Sequence, residues 1–84
     1  MKIQPDHLAA LRALIEPIDT AQRRAQYIEQ GLTDKRYRWD LTYSAGHASN
    51  PQSATRFICD TLYPYMNDTH IDTALKAIVP PLTR

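Results

Sequence analysis

The chain has 84 residues, of which 43% are hydrophobic and 23% are charged, and its formal net charge is +1. This length suits one hydrophobic core, and the composition is too apolar for intrinsic disorder. The small net charge excludes the broad basic field of many nucleic-acid-binding proteins, and no apolar run approaches the roughly 20 residues that a membrane span needs. We therefore expect a single domain over residues 1–84 with no membrane contact.

The only cysteine is Cys59, so an internal disulfide is impossible. The segment after Met1 becomes amphipathic at once, without the apolar stretch of a signal peptide. Both features predict a reducing, cytoplasmic location. Cys59 itself is expected to be a small core residue rather than a nucleophile.

A first helix is predicted over residues 6–16, where apolar residues recur at steps of three and four. Pro5 suits the start of this helix and Pro17 its end. Its apolar face comprises Leu8, Leu11, Leu14 and Ile15.

A second helix is predicted to begin at Asp19 or Thr20, and Asp19 with Gln22 has the spacing of a capping box. It should end just before Gly31, which suits a left-handed terminating residue, with Leu32 completing a Schellman-type stop. The expected apolar face comprises Ala21, Ala25, Ile28 and Leu32.

Residues 34–45 carry two conflicting patterns. Aromatic and apolar residues alternate with polar ones from Tyr37 to Tyr43, which is typical of a strand. A lone strand would have no partner elsewhere in the chain and would leave its backbone groups unsatisfied. We therefore predict a third helix, capped by Thr33–Asp34.

The third helix has two apolar sides. At about 100° per residue, Trp39 and Tyr43 lie opposite the side that contains Tyr37, Leu41, Ser44 and Ala45. Two interpretations stay open: Trp39 and Tyr43 form an exposed binding surface beside Lys35 and Arg36, or the helix is central and buried all round.

Residues 46–53 form the longest loop-like segment, which we expect to be mobile. A fourth helix should start at Asn50–Pro51 or at Ser53 and end at Tyr63–Pro64. Its apolar arc comprises Ala54, Phe57, Ile58, Cys59 and Leu62. In the following bend, Tyr63–Met66, core packing is favoured over a binding role.

A fifth helix should begin near Asn67–Asp68 and stop before Pro80. The spacing of Thr69 and Asp72 fits a capping box. Its apolar face comprises Ile71, Ala74, Leu75 and Ile78. The predicted fold is therefore all-α, a compact bundle of four to five short helices.

No residues have the spacing of a catalytic or metal site. The three histidines, His7, His47 and His70, are too far apart for a zinc motif, and Asp68 with Asp72 suits a helix N-terminus. We therefore expect no enzyme activity, no metal and no cofactor.

Residues 20–38 carry a local charge of +3, against −2 for the rest of the chain. One interpretation is a nucleic-acid-binding module over residues 20–45 that resembles a helix-turn-helix. That motif fits poorly, because Tyr27 takes the place of a small residue, and Gln26 and Gln30 take apolar positions. The other interpretation is an ordinary solvated or protein-binding surface.

The segments Asp34–Leu41 and Ile58–Asp60 through Asp68–Leu75 resemble stretches of short bacteriophage and prophage accessory proteins. The resemblance covers about half of the chain, leaves out residues 46–53 and transfers no catalytic residue. It implies a protein that binds a bacterial host protein or defence complex in the host cytoplasm and modulates it, in the sense of inhibition.

The resulting hypothesis is a non-catalytic protein that binds a bacterial host protein. The alternatives are a nucleic-acid-binding helical module and a homodimeric structural protein. The candidate partner-binding residues are Lys35, Arg36, Arg38, Trp39, Tyr43, Arg23 and Arg24.

Overall fold

The computed structural model describes residues 3–47, 56–65 and 68–82. Within these ranges the chain is helical and contains no β-strand, which confirms the all-α prediction and the helical interpretation of residues 34–45. The elements are α1 (Pro5–Ile15), α2 (Ala21–Glu29), α3 (Asp34–Gly46), the π-helical segment π1 (Ile58–Leu62), the 3-10 turn η1 (Tyr63–Tyr65) and α4 (Thr69–Ile78).

The hydrophobic core lies where α1, π1 and α4 pack around α3. Helix α3 contacts all three of these elements, so it is the centre of the bundle. The fully buried apolar side chains are Leu11, Ile15, Tyr37, Leu41, Ile58, Leu62, Ile71, Leu75 and Val79.

Helix α2 lies outside this core and contains no buried residue. Ala21 and Ala25, predicted to face the core, are exposed. That prediction is wrong because α2 is docked by polar and aromatic side chains: Arg23 donates to Ser44 of α3, and Tyr27 packs against Tyr37 of α3.

The end of α2 follows the predicted Schellman pattern. Gly31 has a φ of +71° and donates its N–H to the carbonyl of Ile28, while Leu32 donates to the carbonyl of Tyr27. The φ of Gly31 is one that side-chain-bearing residues rarely adopt, so the glycine has a clear backbone role.

The caps follow the predictions in part. Thr20 and Thr33 accept a hydrogen bond from the backbone N–H three residues later. Asp68 caps α4 by accepting from the N–H of His70. The predicted capping box of Thr69 and Asp72 is wrong, because the cap residue precedes it by one position.

The predicted burial of Cys59 is also wrong. The N–H of Tyr63 bonds to the carbonyl of Ile58, five residues earlier, so π1 winds more widely than an α-helix. Ile58 and Leu62 are buried in this winding, whereas Cys59 is exposed. The predicted starts of the fourth helix lie outside the described residues, as does most of the predicted loop over residues 46–53. The first residue of that loop, Gly46, belongs to α3 instead.

The two aromatic residues in the bend after π1 differ in burial. Tyr63 is half-buried against the core, as predicted, but Tyr65 is 51% exposed, so the packing prediction is wrong for Tyr65. Helix α4 confirms its predicted apolar face, with Ile71, Leu75 and Ile78 buried.

Candidate protein-binding site

The site is built on the side of α3 opposite the buried residues Tyr37 and Leu41. Thr33 caps this helix and sets its start, and one side buries Tyr37 and Leu41. Because a helix brings residues four apart onto one side, the opposite side presents a row at that spacing. We call this row the aromatic stripe, and it consists of Lys35, Trp39, Tyr43 and His47.

Trp39 and Tyr43 have different environments. Trp39 is half-buried against the core, whereas Tyr43 is 57% exposed. The interpretation of α3 as a helix buried all round is therefore wrong. The exposure predicted for the aromatic pair is confirmed for Tyr43 but not for Trp39. The ammonium of Lys35 lies 5.6 Å from the centre of the Trp39 ring, within cation–π range.

The indole nitrogen of Trp39 is a further feature of the stripe. Its Nε1 atom is shielded from solvent and has no hydrogen-bond partner among the described residues. A buried N–H without a partner is unfavourable. The Trp39 ring therefore has one polar group that no described residue satisfies.

The C-terminal end of the stripe is an aromatic cluster. The rings of Tyr43 and His47 stack with centroids 4.2 Å apart, and Tyr63 lies 5.8 Å from Tyr43. Tyr63 donates its hydroxyl to the Tyr43 carbonyl at 2.8 Å, and Nδ1 of His47 donates to the same carbonyl at 2.9 Å. Burial, followed by the nearby Cys59 and Tyr43, raises the pKa of Tyr63 to about 12.

A polar seam joins α2 to α3 beside the stripe. Asp40 accepts from the Tyr27 hydroxyl at 2.6 Å and from Nε of Arg36 at 3.1 Å. Burial and the hydrogen bond to Asp40 raise the pKa of Tyr27. Arg23 donates to the Ser44 hydroxyl at 3.2 Å, so its guanidinium lies next to α3.

The guanidinium of Arg24 is engaged in intramolecular contacts. It forms a two-point ion pair with Asp19, at 2.8 and 3.0 Å, and also donates to the carbonyls of Pro80 and Pro81. Burial raises the pKa of Asp19, but the hydrogen bonds from Arg24 and Tyr37 and the positive charge of Arg24 outweigh it, so the net pKa is lowered.

Arg38 is also used inside the molecule. It is 4% exposed and donates to Asp72 at 3.1 Å. Asp34, four residues before Arg38, accepts instead from the backbone N–H of Leu82. Neither Arg24 nor Arg38 belongs to the aromatic stripe.

The seven candidate residues are therefore divided by the structure. Lys35, Trp39 and Tyr43 share the stripe, and Arg36 and Arg23 lie on the adjoining seam. The sequence had not indicated His47 or Tyr63 as part of this surface. Four-residue spacing from Lys35 would have found His47, but Tyr63 reaches Tyr43 only through the fold.

Other features of the described residues lie outside the stripe. No cluster of three or more metal-binding side chains occurs in the residues that the structure describes. His7 stacks on Phe57 at 4.4 Å. A polar depression along α2 is lined by Thr20, Gln22, Arg23, Gln26 and Tyr27.

Comparison with known protein families, curated proteins and solved structures finds no match to this chain. Within the described ranges, none of the helices combines the length and the apolar character needed to cross a bilayer.

Proposed function

We propose that this protein acts by binding another protein through the aromatic stripe of α3. The observation that supports the proposal best is the 57% exposure of Tyr43 on the same side of α3 as Trp39 and Lys35. Tyrosine and tryptophan supply most binding hot spots, because they bury a large area while losing few rotatable bonds.

The geometry suits a pre-organised contact surface. Tyr43 packs against the rings of His47 and Tyr63, which also contact each other, and Lys35 lies over Trp39. Side chains fixed by a rigid helix lose less conformational entropy when a partner binds. We propose that the partner is a bacterial host protein in the cytoplasm and that binding inhibits it. The choice of this partner rests on the resemblance to phage accessory proteins.

A nucleic-acid-binding function has less support. Of the five basic residues in the segment, Arg24 and Arg38 are already paired with Asp19 and Asp72. A typical duplex-binding protein makes roughly 6–10 phosphate contacts. The remaining cations of the segment, Arg23, Lys35 and Arg36, can supply only about three such contacts.

The test is affinity capture from a bacterial lysate with matched tyrosine variants. Tyr43→Ala should abolish retention of the partner, whereas Tyr65→Ala, at a similarly exposed tyrosine outside the stripe, should retain it. Both variants should unfold at about the temperature of the wild type, because neither side chain is in the core. Equal retention by Tyr43→Ala and Tyr65→Ala would overturn the proposal.

A homodimer is a further outcome that the same variants detect. If Tyr43→Ala converts a wild-type dimer to a monomer in light scattering, the stripe covers a second copy of this chain instead. That result would also overturn the proposal of a host-protein partner.

A further inference from the structure

The aromatic stripe is bordered by cations that have few carboxylate partners. Lys35 contacts the Trp39 ring and forms no ion pair within the described part of the chain. Arg23 donates to a neutral hydroxyl, that of Ser44. Among the described residues, Arg36 is the one of these three cations that forms an ion pair, with Asp40. The charge of Arg23 also acts on Asp19, but that carboxylate is already paired with Arg24.

Charge on this surface is therefore unbalanced. Three cations, Arg23, Lys35 and Arg36, share one carboxylate, Asp40, and Asp40 is also engaged by the hydroxyl of Tyr27. The carboxylate that precedes Lys35 in the chain is directed elsewhere, since Asp34 accepts from the backbone of Leu82. The surface carries an excess of two positive charges beside exposed aromatic rings.

We propose that the partner of this surface is an acidic protein segment, in which carboxylates surround an apolar or aromatic side chain. The proposal rests on the protein-binding function given above and adds the chemistry of the partner. The apolar side chain covers Tyr43 and the exposed edge of Trp39. The carboxylates face Lys35 and the two arginines of the polar seam, Arg23 and Arg36. There they form ion pairs with positive charges that outnumber the carboxylates of this surface.

The dimensions agree with one short segment. From Lys35 to His47 the stripe is about 18 Å long at 1.5 Å per residue. Such a length matches three turns of a partner helix or about five residues of an extended strand. A single amphipathic segment with acidic flanks can thus cover the whole stripe.

The test uses probes of defined composition with the full chain. Fluorescein-labelled random copolymers of glutamate with tyrosine, and of lysine with tyrosine, are titrated with the protein, and anisotropy reports binding. The glutamate–tyrosine copolymer should bind at low salt and more weakly as salt is raised. The lysine–tyrosine copolymer should not bind.

Charge reversal is tested at two exposed cations. Lys35→Glu should weaken binding of the glutamate–tyrosine copolymer by about tenfold, because it places a carboxylate beside those of the probe. The matched control is Arg56→Glu, which reverses an exposed cation outside the stripe and should change the affinity by less than about twofold. Tyr43→Ala should weaken binding by roughly tenfold or more.

Several results would overturn the acidic-partner proposal. These are equal binding of both copolymers, an equal effect of Lys35→Glu and Arg56→Glu, the absence of binding by the glutamate–tyrosine copolymer, and tighter binding of a short duplex DNA. None of these results decides the protein-binding function itself. That function is tested by the capture experiment, in which Tyr43→Ala should lose the partner and Tyr65→Ala should retain it.

Discussion

Arg38 donates from Nε and Nη2 to one oxygen of Asp72, at 3.3 and 3.1 Å, from a position almost fully buried beside α4. Asp72 is partly exposed and lies 3.6 Å from Lys76 as well. Removing one member of a buried pair leaves the other charge poorly compensated. The pair therefore connects α3 to α4. The unfavourable burial of the Arg38 charge is compensated only while Asp72 is present.

Arg38→Met keeps the volume of the side chain but removes the charge. We expect it to lower the free energy of unfolding by about 2–3 kcal/mol in urea denaturation, less than for a fully buried pair. Arg36→Ala, at the exposed pair with Asp40, should cost only about 0.5 kcal/mol. Recovery of stability in Arg38→Met/Asp72→Met would show that the unpaired carboxylate caused the loss, and equal losses for Arg38→Met and Arg36→Ala would contradict the account.

Gly46 is the residue that lets π1 approach α3. A Cβ atom at this position would lie 2.5 Å from the Tyr63 hydroxyl and 2.7 Å from Cγ2 of Ile58. Both distances are too short for non-bonded atoms, so the neighbouring side chains would have to move. The Tyr63 ring and π1 are therefore placed by the absence of a side chain at Gly46.

Gly46→Ala is expected to lower the free energy of unfolding by about 1–3 kcal/mol, although alanine favours helix by about 1 kcal/mol. The combination with Tyr63→Phe should be less destabilising than the two changes added together, because the phenylalanine lacks the clashing oxygen. Chemical denaturation of the single and double variants measures this. A Gly46→Ala protein as stable as the wild type would contradict the close packing.

The phenol of Tyr63 links stability to alkaline pH. Its pKa is raised to about 12 from an ordinary value of 10.0, so folding favours the protonated form. The stabilisation of the fold by the protonated phenol is fully present below about pH 10 and is lost as the pH rises toward 12. In thermal unfolding, the wild type should lose more stability than Tyr63→Phe between pH 9 and pH 12, and identical slopes would contradict the assignment.

At the scale of elements, α2 is the least securely attached helix. It has no buried residue, and its attachment depends on polar contacts. Asp19, which is paired with Arg24, accepts from the Tyr37 hydroxyl, and Tyr27 and Arg23 bond to α3. Few buried apolar contacts mean a small free energy of local opening. We therefore expect α2 to detach before α1, α3 and α4.

Acid should promote this detachment. Burial opposes ionisation of Asp19, but the hydrogen bonds from Arg24 and Tyr37 prevail and hold its pKa below the ordinary value of 3.8. The resulting stabilisation is complete above about pH 4 and disappears as the pH falls through the lowered pKa.

Amide hydrogen exchange in α2 should accelerate below about pH 4 relative to α3, after correction for intrinsic rates. Asp19→Asn should show faster exchange in α2 already at pH 6 and a weaker dependence on acid. Uniform acceleration across all helices would contradict the separate behaviour of α2.

The sequence predicted the boundaries of α1, α2, α3 and α4 well because these depend on local features. Pro5, Thr33 and Gly31 act through their own backbone or cap geometry, and the structure confirms all three roles. The exposure of Cys59 and the π-helical winding around it arise from tertiary packing. Periodicity at 100° per residue could not predict either of them.

The candidate site shows the same division. The common side of Trp39 and Tyr43 follows from their spacing on one helix, and was predicted. The contact of Tyr63 with Tyr43 and the pairing of Arg38 with Asp72 join residues 20 and 34 positions apart. Neither contact has a local pattern that would indicate it.

At the scale of the whole molecule, the core and the proposed binding surface use opposite sides of α3. The described residues extend over 33 × 27 × 19 Å, and α3 runs through the centre of the packed elements. Burial of one side of α3 provides stability, while on the other side Tyr43 is exposed and Trp39 is half-buried. Binding can therefore be removed by substitution without loss of the fold.

The most direct test of the protein-binding surface is amide and indole chemical-shift mapping, in which the ¹⁵N-labelled chain is titrated with a purified captured partner. The largest changes should cluster at Lys35, Tyr43, His47 and the indole N–H of Trp39, and Tyr65 should change little. Changes centred on α1 or around Tyr65, with the stripe unaffected, would contradict the account.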